Sequence, residues 1–355
     1  MKETTHSSPQ SLLKILAVLG ALILICCAGV LSYWAALYFV VDNNIGLLPT
    51  ATLNPTCEES DCLNACIRRL PDFDVAPLGD HWSELSKKEG GYELARYRLD
   101  EPTEQLKQIS LPTVPEYLQP YQANVQLHQR IWNYFTEIFP NDADVHVSYM
   151  AVYIDTSEEH YSASIWDLDG KWRLYINLVE FNDPEAVVAT LAHEYGHMLT
   201  LNKNQVIGIR SEYGLEMEQA DFDKMRAQCN GQFFSGYECA IEKSYMNEFG
   251  NRFWTGEVYD TWVQAFLLLD KDRDAYQSAI DELYTKYSDR FITDYAATNP
   301  HEDIAESWTE YIMRPKPFGT SIADQKVLFF YEFPELVELR SEIIHGVCQY
   351  AIAQK

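Results

Sequence analysis

An uncharged run near the N-terminus constrains this 355-residue chain more than any other feature. Residues 15–41 carry no charged side chain, and about 20 apolar residues suffice to cross a bilayer as a helix. The run also exceeds the roughly 7–15-residue apolar core of a cleaved signal peptide, although cleavage near Ala28 is an alternative. Lys2 and Lys14 precede the run, and the next Lys or Arg is Arg68. The length of the run predicts a single membrane span. Because positive charge stays on the cytoplasmic side, the N-terminal tail is expected in the cytoplasm and the chain after Val41 outside it.

The predicted orientation divides the chain into four parts. Residues 1–14 form a cytoplasmic tail, and residues 15–41 form the transmembrane helix. Residues 42–80 are rich in Pro, Asn and Asp, which is typical of a juxtamembrane stalk or a disulfide-tied cap. Residues 81–355 then form an extracytoplasmic domain, so the membrane is one expected partner.

Composition excludes two classes of function. The chain has 27 Lys and Arg against 53 Asp and Glu, which gives a formal charge of −26. Such an acidic surface repels phosphate backbones, so nucleic-acid binding is not expected, and neither is attachment to lipid through a polybasic patch. Apolar residues make up 47% of the chain, which is enough for a packed core.

The cysteine count agrees with export to an oxidising compartment. Two of the eight cysteines lie in the uncharged run, and an even number remains outside it, as expected for disulfides. Cys229 and Cys239 close a short Gly-containing loop and are the predicted pair. The other four cysteines cannot be paired from the sequence, and a CxxxC metal site at Cys62 and Cys66 is the alternative for two of them. The unassigned four are Cys57, Cys62, Cys66 and Cys348.

Hydrophobic periodicity predicts an α+β domain without internal repeats. Strands are predicted from about Gly91 and over residues 146–154 and 171–178. Helices are predicted over residues 116–139, 184–200 and 257–287, from Asn299 to before Pro315, and over the last 35 residues. Residues 203–255 give a mixed pattern. The acidic stretch Asp270, Asp272 and Asp274 resembles the start of a calcium loop, but the Gly that such a loop needs is replaced by Ala275.

The helix over 184–200 carries the main chemical motif, HEYGH. Asp183 is a natural N-cap and Pro184 suits the first helical position. Positions i and i+4 share a helix face, so His193 and His197 can both reach one ion. Glu194 is offset by one position, where it can take a proton from a water beside the metal. Neutral imidazole is a good zinc ligand, and this is the HExxH pattern of zinc peptidases.

A third protein ligand is expected on a later helix. Asn299 and Pro300 begin that helix, so Glu302 lies in its first turn, where the helix dipole favours a carboxylate. Glu306 follows four positions on and shares the same face. One carboxylate can bind the metal while the other orients a ligand histidine. A solvated acidic helix face is the alternative for both.

The two motifs together resemble the gluzincin metallopeptidases of the anthrax lethal factor type, and also bacterial zinc-binding metallopeptidases. HEYGH is followed by Y-A-A-T-N-P-x-E-D-x-A-E, which has the family spacing from its Tyr to its third ligand. The resemblance implies His193, His197 and Glu302 as zinc ligands. It also implies Glu194 as the general base, Tyr295 as a transition-state donor, and a supporting role for Glu306. It covers about 30 residues, and residues 203–290 are an insertion between the ligand helices.

The sequence therefore predicts a membrane-anchored zinc hydrolase, with Zn²⁺ as cofactor and a peptide or protein as substrate. A zincin-like α+β domain is expected, in which a small sheet packs on the HExxH helix beside a helical lobe. The strand over 171–178 is a candidate edge strand for pairing with an extended substrate. Two rivals stay open: a catalytically silent, metal-stabilised binding module, and a zinc amidase that acts on cell-wall peptides.

Overall fold

The structure is a computed structural model that describes residues 60–88, 90–100, 105–140, 145–157, 162–168, 171–208 and 217–353. The chain divides into two units after Asn54, and all described residues belong to the second unit. The predicted cytoplasmic tail and transmembrane helix lie outside the described residues. Within the described ranges, no helix is both long enough and apolar enough to span a bilayer.

Helices and strands are both present, as the sequence predicts. The strands are β1 (Tyr92–Asp100), β2 (Gln105–Ser110), β3 (Val147–Ile154), β4 (Ala163–Leu168), β5 (Lys171–Asn177), β6 (Val206–Gly208) and β7 (Glu238–Ala240). The helices of the first half are α1 (Ser60–Ile67), α2 (Trp82–Leu85), α3 (Gln119–Ala123), α4 (Val125–Ile138) and α5 (Pro184–Leu201). Those of the second half are α6 (Gln219–Gln228), α7 (Tyr245–Phe253), α8 (Glu257–Phe266), α9 (Arg273–Lys286), α10 (Pro300–Met313), α11 (Ile322–Phe330) and α12 (Pro334–Ala353).

The main sheet is mixed and has the strand order β2-β1-β3-β5-β4. β3 pairs with β5 in parallel, whereas the other three pairings are antiparallel. β4 and β5 form a hairpin, with Ala163 opposite Ile176, and this hairpin places β4 last in the sheet. β6 and β7 form a separate two-stranded ribbon.

This order corrects the expectation for residues 171–178. β5 lies between β3 and β4, so both of its edges are already paired and it cannot be the edge strand that receives a substrate. The edge beside the HEYGH helix is β4, which the sequence pattern did not identify. α5 packs directly against β4.

The two helices that carry the candidate ligands begin where their N-caps predict. The Asp183 carboxylate accepts hydrogen bonds from the backbone N–H groups of Glu185 and Ala186, at 2.9 and 3.3 Å. The Asn299 side chain accepts from the N–H groups of His301 and Glu302, at 2.9 and 3.1 Å. These contacts satisfy N–H groups that lack partners inside a helix, and they fix the first residue of α5 and α10.

α5 and α10 pack against each other over much of their length. Gly196 lies in this contact. A Cβ added there would lie 2.8 Å from Cδ1 of Trp308 and 3.3 Å from Cα of Ala305. Those distances are too short for a side chain, so the single glycine of α5 is what allows the two helix backbones to approach closely.

Two disulfides join described residues. Cys229 pairs with Cys239, as predicted, and Cys66 pairs with Cys348. Cys62 is also disulfide-bonded. The CxxxC metal alternative is therefore wrong, because the sulfurs of Cys62 and Cys66 are already used.

The part of the 42–80 segment that the structure describes packs into the domain. α1 contacts α12 through the Cys66–Cys348 bond. Leu63, Phe73 and Val75 are buried, at 0, 3 and 6% exposure. From α1 onward this segment contributes to the core, in the manner of a disulfide-tied cap rather than of a free stalk.

Two predicted helices are interrupted. The helix expected over 116–139 breaks at Asn124, whose side chain caps α4 by accepting from the Leu127 N–H at 3.1 Å. The helix expected over 257–287 divides into α8 and α9. There the Asp272 carboxylate accepts from the Ala275 N–H and caps α9, so the acidic stretch starts a helix instead of a calcium loop.

Candidate metal centre

Three candidate ligand atoms converge between α5 and α10. Nε2 of His193 lies 3.0 Å from Nε2 of His197 and 3.0 Å from Oε2 of Glu302. Nε2 of His197 lies 3.1 Å from the same carboxylate oxygen. The i and i+4 spacing places the two imidazoles on one face of α5, where their rings meet edge-on at 82°, and the first turn of α10 brings the carboxylate to them. Together the three side chains form a group that can hold a metal ion.

The donor set and spacing suit a small cation. Zinc binds imidazole nitrogen at about 2.0–2.1 Å, so adjacent ligands of a tetrahedral site lie about 3.3 Å apart. The distances among the three atoms are slightly shorter than that. Two imidazole nitrogens and one carboxylate oxygen are also donors that zinc accepts, and they leave a fourth position open.

Glu306 holds the far side of the His193 ring. Its Oε1 lies 2.8 Å from Nδ1 of His193, and its Oε2 accepts a hydrogen bond from the Thr293 hydroxyl at 2.7 Å. A proton on Nδ1 leaves the lone pair on Nε2, facing the other two ligand atoms. His193 thus lies between a supporting carboxylate at Nδ1 and the candidate metal position at Nε2.

The electrostatics of the three groups favour charged carboxylates. Burial alone would raise the pKa of Glu302, but the two imidazoles outweigh it and hold that pKa well below its usual range. Burial alone would lower the pKa of His193, but its contacts with Glu302 and Glu306 outweigh burial and raise that pKa above its ordinary value. The site therefore keeps Glu302 ionised, as a metal ligand must be.

Glu194 is buried beside these ligands, at 5% exposure. Burial raises the pKa of its carboxyl, although the imidazoles and a backbone hydrogen bond from Ile165 of β4 act in the opposite direction. A carboxyl with a raised pKa is better suited to accept a proton near neutral pH. The offset of one residue from His193 thus places a candidate base at the metal position without making it a ligand.

Tyr295 lies on a single 3₁₀ turn, Tyr295–Ala297, that immediately precedes α10. Its ring centroid is 5.9 Å from that of His193, and its side chain is 38% exposed. It lines a cavity of about 380 Å³ together with His193, Glu194 and Glu306. The remaining lining residues are small and include Ser162, Ala163, Ala189 and Thr190. All six site residues named from the sequence therefore meet at one place.

Sequence reasoning missed the residues that complete this place. Tertiary packing alone brings Thr293, Ser162 just before β4, and Ala163 of β4 to the site, and no local pattern marks them. Gly196 was visible inside HEYGH, but its role depends on the partner helix α10.

Two other histidines, His301 and His128, lie in separate environments. His301, next to Glu302, turns away and lies 3.1 Å from a carboxylate oxygen of Glu238. His128 is fully buried, with the Tyr97 hydroxyl 2.7 Å from its Nδ1, and burial lowers the pKa of His128 to about 4. Its role in the core is structural.

Comparison with known proteins adds no relative. No protein-family model matches this chain, and neither a curated protein nor a solved structure matches it. The chemical capacity of the site therefore rests on its own residues.

Proposed function

We propose that this chain is a zinc-dependent metallopeptidase of the gluzincin type. One observation carries the proposal: Nε2 of His193, Nε2 of His197 and Oε2 of Glu302 lie within 3.0–3.1 Å of one another. The buried carboxylate of Glu194 stands beside them in an open cavity. A purely structural zinc site would have a fourth protein ligand and no use for a base.

Each residue has a distinct task in peptide hydrolysis. Bound zinc would polarise the scissile carbonyl and lower the pKa of a water molecule towards about 7. Glu194 takes the proton from that water and delivers it to the leaving amine. Glu306, itself held by Thr293, fixes the ring of His193.

Tyr295 is proposed as the donor to the developing oxyanion. Its ring lies near His193, at the boundary of the cavity, where a phenol O–H can reach the carbonyl oxygen of a bound peptide. A donor aimed at charge that develops only in the transition state lowers the activation barrier selectively.

The sheet supports a zincin-like arrangement for this domain. β4 ends the sheet next to α5, and Ser162 and Ala163 at its start line the cavity. A peptide laid along the outer edge of β4 would add backbone hydrogen bonds and lie across the metal ligands.

The location proposed for the enzyme is outside the cytoplasm, anchored by residues 15–41. The Cys66–Cys348 and Cys229–Cys239 disulfides support this location, because such bonds persist in oxidising compartments. A peptide or protein presented there is the expected substrate.

The decisive experiment measures metal content and hydrolysis on the full chain. We expect about one zinc per chain in the wild type, loss of zinc in His193→Ala, and cleavage of a mixed peptide library by the wild type. Glu194→Gln should retain zinc and lose cleavage, because only the base is removed. Circular dichroism of each variant serves as the folding control.

Four outcomes would overturn the proposal. Absence of zinc after reconstitution would show that the motif holds no metal. Zinc without cleavage of any peptide would favour the silent binding module, and cleavage of cell-wall peptides alone would favour the amidase. Full activity of Glu194→Gln would exclude the mechanism.

A further inference from the structure

A second cavity adjoins the candidate metal centre and is built mainly by the insertion. It measures about 380 Å³ and shares Tyr295 with the first cavity, while Glu302 also lies in its wall. A peptide lying across the metal ligands would therefore extend from the first cavity into the second.

One face of α9 forms a wall of the second cavity. The residues that face it are Arg273, Tyr276, Gln277, Ile280, Asp281 and Tyr284. Their spacing alternates between three and one, which is the spacing of a single helix face. The opposite wall runs from Asp294 to Glu302. The second cavity is thus a groove between the insertion and the ligand helix.

The two cavities differ in the size of their side chains. Small residues line much of the first, as described above. The second contains four tyrosines: Tyr237, Tyr276, Tyr284 and Tyr295. Its lining also includes the apolar side chains of Phe266, Leu269 and Ile280, of which Phe266 and Ile280 are 8 and 2% exposed.

Two of these tyrosines, Tyr237 and Tyr276, are held by contacts within the domain. The Tyr237 ring meets Phe266 edge-on, at 5.1 Å between centroids. The Tyr276 hydroxyl donates to the Thr298 carbonyl at 3.3 Å, which joins α9 to the segment before α10. Cys229–Cys239 closes the loop that carries Tyr237. A preorganised aromatic wall loses little conformational entropy when a ligand binds.

We propose that this groove is the specificity pocket of the enzyme and takes an aromatic side chain of the substrate. The proposal rests on the proposed function, because it assumes a peptide across the metal ligands. Aromatic rings pair edge-to-face or offset with one another, and these contacts add to the gain from burying apolar area. The volume of the groove, about 380 Å³, lies within the range of about 300–1,000 Å³ that is typical of ligand sites, and its lining combines the aromatic rings with charged side chains at Arg273, Asp281, Asp294 and Glu302.

The polar groups of the groove also allow it to bind a substrate ring that carries a hydrogen-bond donor. Gln277 donates to the Asp281 carboxylate at 2.9 Å, and that carboxylate has further acceptor capacity. A phenol or indole donor on the substrate can use it. We expect the groove to accept Phe, Tyr and Trp side chains alike, because the hydrogen-bond donor is not required for binding.

A binding experiment tests the groove separately from catalysis. The probes are short fluorescein-labelled peptides of Ala, Ser and Gly with one central Tyr, Phe, Trp, Leu, Arg or Ala, titrated with the full-length Glu194→Gln chain. The aromatic peptides should bind about tenfold more tightly than the Ala peptide. Tyr284→Ala in the same background should reduce this preference to less than about threefold, because it removes one aromatic wall.

The matched control is Tyr287→Ala, which changes the same residue type just beyond α9 and outside the groove. It should keep the aromatic preference. The proposal is overturned if the Arg or Leu peptide binds most tightly, if no peptide binds, or if Tyr284→Ala and Tyr287→Ala behave alike.

The failures of the two proposals are distinguishable. Peptide hydrolysis by the wild type without aromatic preference would leave the metallopeptidase proposal intact and remove the groove as its specificity pocket. Aromatic peptides that bind but are never cut would keep the groove and remove the peptidase activity.

Discussion

His193 is held from both sides of its ring. Its Nε2 faces His197 and Glu302, and its Nδ1 faces Glu306. A ligand histidine held in this way cannot rotate, and the carboxylate behind it raises the basicity of the coordinating nitrogen. The proposed chemistry thus also depends on Glu306, which is not one of the three candidate ligands.

Removing that support should weaken metal binding. We expect Glu306→Ala to lower zinc affinity by about 10–100-fold, since outer carboxylate partners of ligand histidines typically contribute that much. Glu306→Gln should lose less, because the amide oxygen can still accept from Nδ1. Competition with a chromophoric chelator measures the affinity.

Glu310→Gln provides the control for this prediction. Glu310 lies one turn further along α10 and lines neither cavity described above. The zinc affinity of the Glu310→Gln variant should match that of the wild type. Equal affinity of Glu306→Ala and wild type would show that Glu306 does not support His193.

At the scale of elements, the distances among the three candidate ligands depend on how closely α5 and α10 approach each other. Gly196→Ala would add a Cβ 2.8 Å from the buried ring of Trp308. Ala favours a helix over Gly by up to about 1 kcal/mol, whereas overpacking a core costs about 1–3 kcal/mol. We expect overpacking to dominate, because the Trp308 ring and the α10 backbone cannot yield easily.

The expected result for Gly196→Ala is a lower free energy of unfolding by about 1–2 kcal/mol and a lower zinc affinity, as α10 moves Glu302 away. Urea unfolding and chelator competition measure the two quantities. Gly208→Ala is the control, because a Cβ there meets no atom within 4 Å. A Gly196→Ala variant that equals the wild type in both measurements would disprove the close-approach argument.

Local signals determine which elements the sequence can predict. The N-caps Asp183 and Asn299 act within one helical turn, so the starts of α5 and α10 are readable from the sequence. The i and i+4 histidines are readable for the same reason. Local signals alone do not identify Glu302. The requirement for a third ligand and the family resemblance together identify it.

Elements stabilised by distant partners were missed. β2 has no buried residue, so it lacks the alternation that predicts a strand. β4 is a strand because it pairs with β5, and its position at the edge follows from topology. The wall of the groove likewise depends on where α9 packs. Thr293 gave no signal, because its contact with Glu306 exists only in the folded chain.

At the scale of the whole molecule, the candidate site joins two distant parts of the chain. The candidate ligands His197 and Glu302 are 105 residues apart in sequence. The intervening segment supplies α9 and Tyr237, so the segment that separates the candidate ligands also forms most of the neighbouring groove. The Cys66–Cys348 disulfide closes a still longer span, with a sequence separation of 282.

That disulfide should stabilise the domain more than the local one. In the chain-entropy account, a cross-link stabilises by restricting the unfolded chain, and its effect grows with the loop that it closes. A span of 282 residues corresponds to about 5–6 kcal/mol, and a span of 10 to about 3 kcal/mol. We therefore expect the double variant Cys66→Ala/Cys348→Ala to lose more free energy of unfolding than Cys229→Ala/Cys239→Ala.

The two double variants are matched controls for each other, since all four sulfurs are buried and each variant removes one bond. Urea denaturation of both, followed by fluorescence and circular dichroism, gives the two losses on one scale. Equal losses would mean that native-state packing around the sulfurs outweighs the entropy of the unfolded chain. A larger loss from the local pair would mean that α1 and α12 remain joined by packing alone, with Leu63 and Val347 in the core on either side of the missing bond.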